Sequence, residues 1–466
     1  MRLRRHWDTF GLGGTCVFGG HNLAVADLEG DGLTELITGG ISYYLHPNGS
    51  RQVVLAPLQV LAWRTDNVSI IAYHSWVGFI SCVDASDVDH DGMMEIITAG
   101  GCVNASGVTP CIRVWFFDGE SLCLKGEHLG KFVNALSVAN LDNDEEVEIV
   151  GVGGSSLGDA SLSQIFIFSW NDKIRLDAYL NCSTVEGGRL NSIDTADLDG
   201  DGVAEIVAVG YSGDIEHSRG LLMIWRFDGS DFRLMDKVEW QKVAGGYSVD
   251  VAGNPLGNTV ASKVLVDDVD GDAAPEIVTC GFSYDGKGAE GQLRIWNWSY
   301  GKLNLEVTHE WKSNDITHAT SVSIGDLDCD GVKEIVTSGY TAGFGSWAHN
   351  STGKSRAELR VWRWDGGLLN LMGSISWNDG EAEAAWNVGV GDIDGDDVPE
   401  LITVGCMEVG NLCDPDLRVW SIIAGKENTE SQLSSHIVFV VAIIPAIMVL
   451  VFVIYRRKAE KTLNSA

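Results

Sequence analysis

The stretch Asp197-Leu-Asp199-Gly-Asp201-Gly202-Val-Ala-Glu205-Ile-Val-Ala-Val-Gly210 predicts both the fold and the chemistry of this chain. Aspartates alternate at 197, 199 and 201, a glycine follows, and Glu205 lies eight positions after the first aspartate. Calcium takes six to eight oxygen ligands, and alternate positions of a turn can point inward together. The β-branched run after the glutamate is typical of a strand. The stretch therefore predicts a calcium-binding turn that leads into a β-strand.

The same pattern occurs seven times, each time before a short β-rich run. We call these copies the first to seventh acidic turns. Their candidate ligands are, in chain order, Asp27, Glu29, Asp31 and Glu35; Asp87, Asp89, Asp91 and Glu95; Asn140, Asp142, Asp144 and Glu148; Asp197, Asp199, Asp201 and Glu205; Asp268, Asp270, Asp272 and Glu276; Asp326, Asp328, Asp330 and Glu334; and Asp392, Asp394, Asp396 and Glu400. A single copy would also fit a solvated acidic turn, but seven favour up to seven Ca²⁺ sites. The third, fifth and seventh copies lack the glycine after the third acidic position, where another residue makes the turn costlier.

Four strand-like segments recur around each acidic turn. In the sixth copy they are 321–325, 334–337, 359–364 and a segment that ends at Trp377. Four strands in each of seven repeats predict an all-β fold, a seven-bladed β-propeller of four-stranded blades. The recurring tryptophans could stack on sugars, but their fixed strand positions favour packing between blades.

Composition narrows the range of partners. The chain has 466 residues and a formal net charge of −33. A surface this acidic argues against nucleic acid as a partner, because the phosphate backbone is also negative. With 56 glycines and only 8 prolines, the chain fits short strands joined by tight turns.

The two ends of the chain differ from the repeats. Residues 1–8 resemble a fourth strand and are expected to complete the last blade, so that the propeller spans 1–424. A polar stalk is expected at 425–435, a transmembrane helix at 436–455 and a short basic cytoplasmic tail at 456–466. The positive-inside rule then places the propeller outside the cell, as a single-pass protein of the cell membrane. A tail-anchored protein that faces the cytosol is the alternative.

Glycosylation motifs and cysteines agree with an extracellular propeller. The better placed Asn-x-Ser/Thr acceptors are Asn48, Asn67, Asn104 and Asn350. The pairs Cys102/Cys111 and Cys406/Cys413 lie in equivalent loops and close short spans, which predicts two disulfides. Unpaired loop thiols are the other interpretation.

The Asp-x-Asp-x-Asp-Gly-x-x-acid pattern of the turns resembles the FG-GAP/VCBS-type calcium-binding repeats of integrin α-subunit propeller heads, over about residues 1–424. The resemblance implies the propeller fold and calcium at the matching turn positions. A Phe-Gly pair, which is part of the repeat signature, occurs at Phe18-Gly19 and Phe344-Gly345.

Three functions fit these features. The first is a cell-surface protein whose calcium-stabilised, integrin-like propeller serves adhesion or recognition of a protein or glycan ligand. The second is a calcium-dependent polysaccharide lyase or glycosidase, since propellers also carry enzymes, and the third is a structural envelope protein. We recognise no catalytic constellation in the sequence. The ligand is expected on the face opposite the acidic turns, with Tyr340, Phe344, Trp347 and His349 as candidate contacts.

Overall fold

The computed structural model describes residues 2–8, 22–45, 51–64, 67–144, 146–154, 163–182, 188–213, 217–242, 258–284, 288–343, 355–380, 382–409 and 412–423. Within these ranges the chain forms strands and no helix. The strands are β1 (Arg2–Asp8), β2 (Leu23–Ala26), β3 (Glu35–Gly39), β4 (Ser42–Leu45), β5 (Arg51–Arg64), β6 (Asn67–Trp76), β7 (Gly78–Ser86), β8 (Glu95–Asn104), β9 (Gly107–Phe117), β10 (Leu122–Leu129), β11 (Phe132–Ala139), β12 (Glu148–Gly154), β13 (Ser163–Trp170), β14 (Ile174–Asn181), β15 (Gly188–Ala196), β16 (Glu205–Ser212), β17 (Arg219–Phe227), β18 (Phe232–Trp240), β19 (Asn258–Asp267), β20 (Glu276–Tyr284), β21 (Ala289–Ser299), β22 (Lys302–Trp311), β23 (Ile316–Gly325), β24 (Glu334–Ala342), β25 (Arg356–Trp364), β26 (Leu369–Trp377), β27 (Ala382–Gly391), β28 (Glu400–Val409) and β29 (Leu412–Ile423).

The strands of this β-propeller are hydrogen-bonded into six sheets in the described part of the chain. Four sheets have four strands each, in the orders β10-β9-β8-β7, β11-β12-β13-β14, β15-β16-β17-β18 and β1-β29-β28-β27. A five-stranded sheet holds β2 to β6, and an eight-stranded sheet holds β19 to β26. The expectation of seven separate four-stranded blades is therefore wrong.

The sheet count differs because two repeats share a sheet. Strands β19 to β22 and β23 to β26 each form an antiparallel set, and the single parallel pairing Ala289↔Ile316 joins β21 to β23. An extra strand also enters the first sheet, where β4 pairs with β5 beyond the segment of β5 that β3 occupies. Sequence periodicity predicts strands, but pairing between the ends of strands depends on how neighbouring repeats meet.

The membrane prediction also needs correction. The described residues contain no helix long and apolar enough to cross a membrane. The structure thus gives no support for a single-pass membrane protein with an extracellular propeller and a cytoplasmic tail. The predicted stalk, transmembrane segment and tail, 425–466, lie outside the described residues.

The N-terminal strand lies in the same sheet as the last strand of the chain. Strand β1 pairs antiparallel with β29, from Arg2↔Ile423 to Asp8↔Arg418. Both edges of β29 are therefore paired, since its other edge bonds to β28. Pairing removes an open edge that could otherwise bind another chain.

The core lies between neighbouring sheets, because alternate residues of a strand face opposite sides. Ile165 and Ile167 of β13 pack with Ile206 and Ala208 of β16 in the next sheet. The intervening Phe166 packs on the other side, with residues of the β7 to β10 sheet such as Ile97. Equivalent buried tryptophans fasten the sheets from within, each donating its indole N–H to a threonine hydroxyl. These pairs are Trp115–Thr98, Trp296–Thr279, Trp362–Thr337 and Trp420–Thr403. The tryptophans at this position are therefore packing residues and are not available to stack on sugars.

Candidate cation sites in the acidic turns

Each acidic turn joins the first two strands of one repeat, and the fourth turn shows how its backbone is held. Asp197 accepts hydrogen bonds from the backbone N–H groups of Asp201, at 3.1 Å, and Gly202, at 2.7 Å. Asp201 accepts one from Val203 at 3.0 Å. Short polar side chains stabilise turns by bonding to the backbone a few residues on. The first and third aspartates thus fold the turn and at the same time lie on its inside.

The closing glutamate has the same bond in all seven turns. Its Oε2 accepts a hydrogen bond from the backbone N–H of the second turn residue, at 2.9 to 3.3 Å. These glutamates are Glu35, Glu95, Glu148, Glu205, Glu276, Glu334 and Glu400, and each is at most 6 % exposed. A buried carboxylate needs partners. One oxygen is satisfied by the backbone, and the second is available to a cation.

The backbone explains why glycine recurs in the turns. The fourth position is left-handed in all seven turns, with a φ of 57° at His90 and 75° at Gly200. The sixth position is also left-handed in the six turns where it is described, at 90° for Gly202, 71° for Ala273 and 65° for Asp397. A side chain costs energy in this region. The fifth and seventh turns therefore keep the glycine geometry without the glycine, and His90 is a strained turn residue.

These contacts bring carboxylates together. The described residues contain seven groups in which at least three ligand atoms lie within 4.8 Å of one another, close enough to hold a metal ion, and one of these groups is Cys102, Cys111 and Glu127. They include Asp87, Asp89 and Glu95; Asp142, Asp144 and Glu148; Asp197, Asp199 and Glu205; and Asp268, Asp270 and Glu276. Several acidic turns could thus bind a metal ion, and their oxygen-only donors suit a hard cation.

The electrostatics of the turns is unfavourable without a cation. Burial raises the pKa of the closing glutamates, and the turn aspartates add to the effect by repulsion. The pKa reaches about 7 at Glu35, Glu148, Glu205, Glu276 and Glu334, and about 8 at Glu400. A positive charge inside the turn would remove this penalty.

Three turns contain such a charge already, and the sequence analysis missed it. Arg226 bonds to Asp201 at 2.6 Å and to Glu205 at 2.8 Å. Arg363 bonds to Asp330 at 2.6 Å and to Glu334 at 3.1 Å. In the second turn Lys125 lies 2.9 Å from Asp89 and 3.0 Å from Glu95. The second, fourth and sixth turns are therefore neutralised in part by the protein itself.

The first, third and fifth turns are different. Among the described residues, no lysine or arginine forms an ion pair with their candidate ligands. A glycine of the next repeat's hairpin lies close to each of them instead. A β-carbon at Gly119 would lie 2.8 Å from Glu29, one at Gly229 2.8 Å from Asp142, and one at Gly366 3.2 Å from Asp270. These hairpins approach the acidic turns so closely that a side chain would crowd the carboxylates.

All 28 sequence-predicted ligands lie in described parts of their turns. The third turn departs most from the others, because the Asn140 amide donates to the carbonyl of Asp144 and its Oδ1 accepts from Asn143 at 2.8 Å. The glycines at positions 30, 200, 271 and 395 were a usable signal for the left-handed fourth position. No such sequence signal indicated the neutralising side chains Arg226, Arg363 and Lys125, because they come from other strands.

Other predicted features are only partly described. The sulfur atoms of Cys102 and Cys111 lie 3.4 Å apart and are not joined by a disulfide bond. Cys406, in contrast, is disulfide-bonded. Asn67 and Asn104 are exposed, while Asn48 and Asn350 lie outside the described residues. Tyr340 is a poor candidate for a ligand contact, because its hydroxyl bonds to His318 at 3.0 Å and burial raises its pKa to about 12. Phe344, Trp347 and His349 also lie outside the described residues.

No protein-family model and no curated protein matches the chain. The resemblance to FG-GAP/VCBS repeats therefore rests on the turn motif alone, and the comparisons give no support for an integrin-like or adhesion protein.

Solved structures align with the chain only weakly. The periplasmic gluconolactonase PpgL of Pseudomonas aeruginosa aligns at 12 % identity over 75 % of this chain and 84 % of its own, with a TM-score of 0.44. The exotype rhamnogalacturonan lyase YesX aligns at 13 % identity over 86 % and 72 %, with a TM-score of 0.45. Sqt1 from Chaetomium thermophilum aligns at 11 % identity over 91 % and 100 %, with a TM-score of 0.46. Similarity this weak says nothing about activity.

Proposed function

We propose that the acidic turns bind Ca²⁺ and that the protein is a calcium-stabilised propeller that recognises a protein or glycan partner. The observation that supports this most is the closing glutamate, which is buried in every turn and close to further carboxylates. Such a group is costly when charged and alone, and favourable when it shares a cation. The oxygen donors fit calcium better than a metal that prefers nitrogen or sulfur.

Calcium has a structural part in this proposal. Each acidic turn connects the inner strands of its repeat, and an ion there would hold together carboxylates that otherwise repel each other. In the second, fourth and sixth turns a lysine or arginine competes for the same oxygens. We therefore expect the tightest binding in turns that have no such side chain. We assign recognition of a partner to the face opposite the acidic turns. The loops on that face can vary in sequence, as binding loops commonly do.

The test is a calcium titration of the full-length chain after treatment with EDTA. Native mass spectrometry gives the number of bound ions, and differential scanning calorimetry gives the melting temperature. We expect several ions and a melting temperature that rises with calcium concentration, because a ligand specific for the folded state stabilises it. Absence of both binding and stabilisation would refute the calcium sites. Magnesium, which demands a smaller octahedral site, is the control.

A glycan array and a protein-binding screen then test recognition. The same glycans are incubated with the protein and analysed for cleavage. Binding without turnover supports a recognition module. Calcium-dependent cleavage would replace it with the alternative, a polysaccharide lyase or glycosidase.

A further inference from the structure

A cavity of about 190 Å³ lies between the first strands of five repeats, β2, β7, β11, β15 and β19. A water molecule takes roughly 30 Å³ in the liquid, so the cavity has room for about six waters or one small molecule. Most of its lining residues are apolar, such as Leu23, Val83 and Ile193, but polar atoms contribute the larger part of the exposed wall. Convergent polar groups of this kind fix the orientation of a small ligand.

The polar groups of the cavity carry charges of both signs. Asp84 comes from β7, Asp194 from β15 and Lys263 from β19. The Lys263 ammonium interacts electrostatically with both carboxylates. Within the described residues, however, it forms no ion pair with either and bonds instead to Asn387 Oδ1, at 3.2 Å. The three charges thus line one cavity without direct contact between opposite signs.

The two carboxylates differ in their hydrogen bonds, and Asp84 has the fewer. Asp84 accepts one hydrogen bond, from the backbone N–H of Ala85 at 2.9 Å. Asp194 accepts backbone bonds from Thr195 and Val266, and its Oδ1 lies 3.3 Å from the Ser137 hydroxyl. Burial raises the pKa of Asp84 to about 7 and that of Asp194 to about 6, and their mutual repulsion adds to the shift of Asp84. Both side chains would gain from a cationic group between them.

Asn387, which bonds to Lys263, has an unused hydrogen-bond donor among the described residues. Asn387 is fully buried, and its Oδ1 accepts bonds from Lys263, Ser321 and Val388. Its Nδ2 has no acceptor in the described part of the protein. A buried N–H group without a partner is costly. Lys263 lines the cavity and is therefore the donor to which a carboxylate could bind, with Asn387 buried behind it.

We propose that this cavity binds a small zwitterion, with its ammonium group held by Asp84 and Asp194 and its carboxylate held by Lys263. Because charged groups of both signs line the cavity, a zwitterion can pair with more of them than a cation or an anion alone. The size of the cavity restricts the ligand to short ω-amino acids or molecules of similar length. The site is separate from the acidic turns and does not depend on the proposed function.

Isothermal titration calorimetry of the full-length chain tests the proposal, with glycine, β-alanine and 4-aminobutanoate as separate probes up to about 10 mM. All titrations contain calcium at the concentration that saturates thermal stability. Propylamine and propanoate are the controls, because each carries one of the two charges. We expect one probe to bind at one site and both controls to bind at least tenfold more weakly.

Three variants make the result specific. Asp84→Asn and Lys263→Met should each weaken binding at least tenfold, because each removes one partner of a desolvated charge pair. Lys263→Met removes the positive charge near two buried carboxylates and should lower the melting temperature, so binding is compared at a temperature at which the variant is folded. Asp231→Asn makes the same change of charge as Asp84→Asn, but at an exposed position outside the cavity. It should have no effect on probe binding. Melting temperatures of all variants show that they are folded.

Several results would overturn the proposal. They are the absence of binding by all three probes, equal binding of propylamine, and unchanged binding in Lys263→Met. Loss of probe binding when calcium is raised further, with recovery on dilution of calcium, would show that the cavity takes a metal ion instead.

Discussion

The fourth and fifth acidic turns have nearly the same sequence but different electrostatics. In the fourth, Arg226 reaches from β17 into the turn and pairs with Asp201 and Glu205. Asn297 holds the corresponding strand position beside the fifth turn, and its Oδ1 is buried without a hydrogen-bond partner in the described structure. The motif therefore fixes the shape of a turn, whereas a residue some 20 positions later decides whether the turn already contains a positive charge. Of these two turns, only the fourth contains a positive charge of the protein itself within the described residues.

The largest expected effect is that of calcium itself. Addition of calcium to the EDTA-treated protein should stabilise it by about 2.7 kcal/mol for each site at a hundredfold excess over Kd. We expect Asp270→Asn, in the fifth turn, to remove one ion from the stoichiometry and one such increment. Asp199→Asn, in the fourth turn, should remove less. Equal losses in calorimetry and mass spectrometry would show that the arginine makes no difference.

The second effect is a pH dependence in calcium-free solution. Burial raises the pKa of Glu276 to about 7 in the folded state, above its ordinary value of 4.5. Its neutral form therefore contributes stability that is fully present below pH 4.5 and is lost as pH rises through 7. Glu276→Gln should be more stable than the wild type at pH 8, by up to about 3 kcal/mol, and the difference should vanish near pH 4.5. Denaturant unfolding at several pH values measures it, and a difference independent of pH would contradict the prediction.

The third effect is loss of the internal cation. Arg226→Met leaves Glu205 buried beside two aspartates without a counter-charge. Breaking a buried pair costs about 3–5 kcal/mol, and partial exposure of the arginine reduces this to about 2 kcal/mol in EDTA. Calcium should restore more stability to this variant than to the wild type. A variant that is destabilised but unresponsive to calcium would show that Arg226 does not stand in for a cation.

The smallest effect separates backbone strain from charge. Ala273 and Gly202 hold the same left-handed position in the fifth and fourth turns. Ala273→Gly should stabilise the protein by about 1 kcal/mol, and Gly202→Ala should destabilise it by a similar amount. Thermal unfolding at constant calcium checks both, with Ala274→Gly as the matched control. The two variants must change the stability in opposite directions. If both were less stable than the wild type, side-chain contacts would outweigh backbone strain.

The local structure of the acidic turns follows from the order of their residues. Alternating carboxylates, a glycine and a buried glutamate form a turn through bonds within nine residues, so Asp197 to Glu205 could be predicted without any neighbour. The β-branched run after Glu205 likewise predicted a strand, and β16 begins at Glu205. Both depend on interactions close in the chain, and these are the interactions that a sequence pattern records.

The number of sheets and the charge inside each turn depend on contacts between repeats. The parallel pairing Ala289↔Ile316 merges two repeats into one sheet, and it depends on how neighbouring repeats meet. Arg226, Arg363 and Lys125 reach the acidic turns from separate strands, and the central cavity combines Asp84, Asp194 and Lys263 from three repeats. Such contacts join residues that are distant in the chain, and electrostatic interaction depends on distance in space, which the motif does not contain.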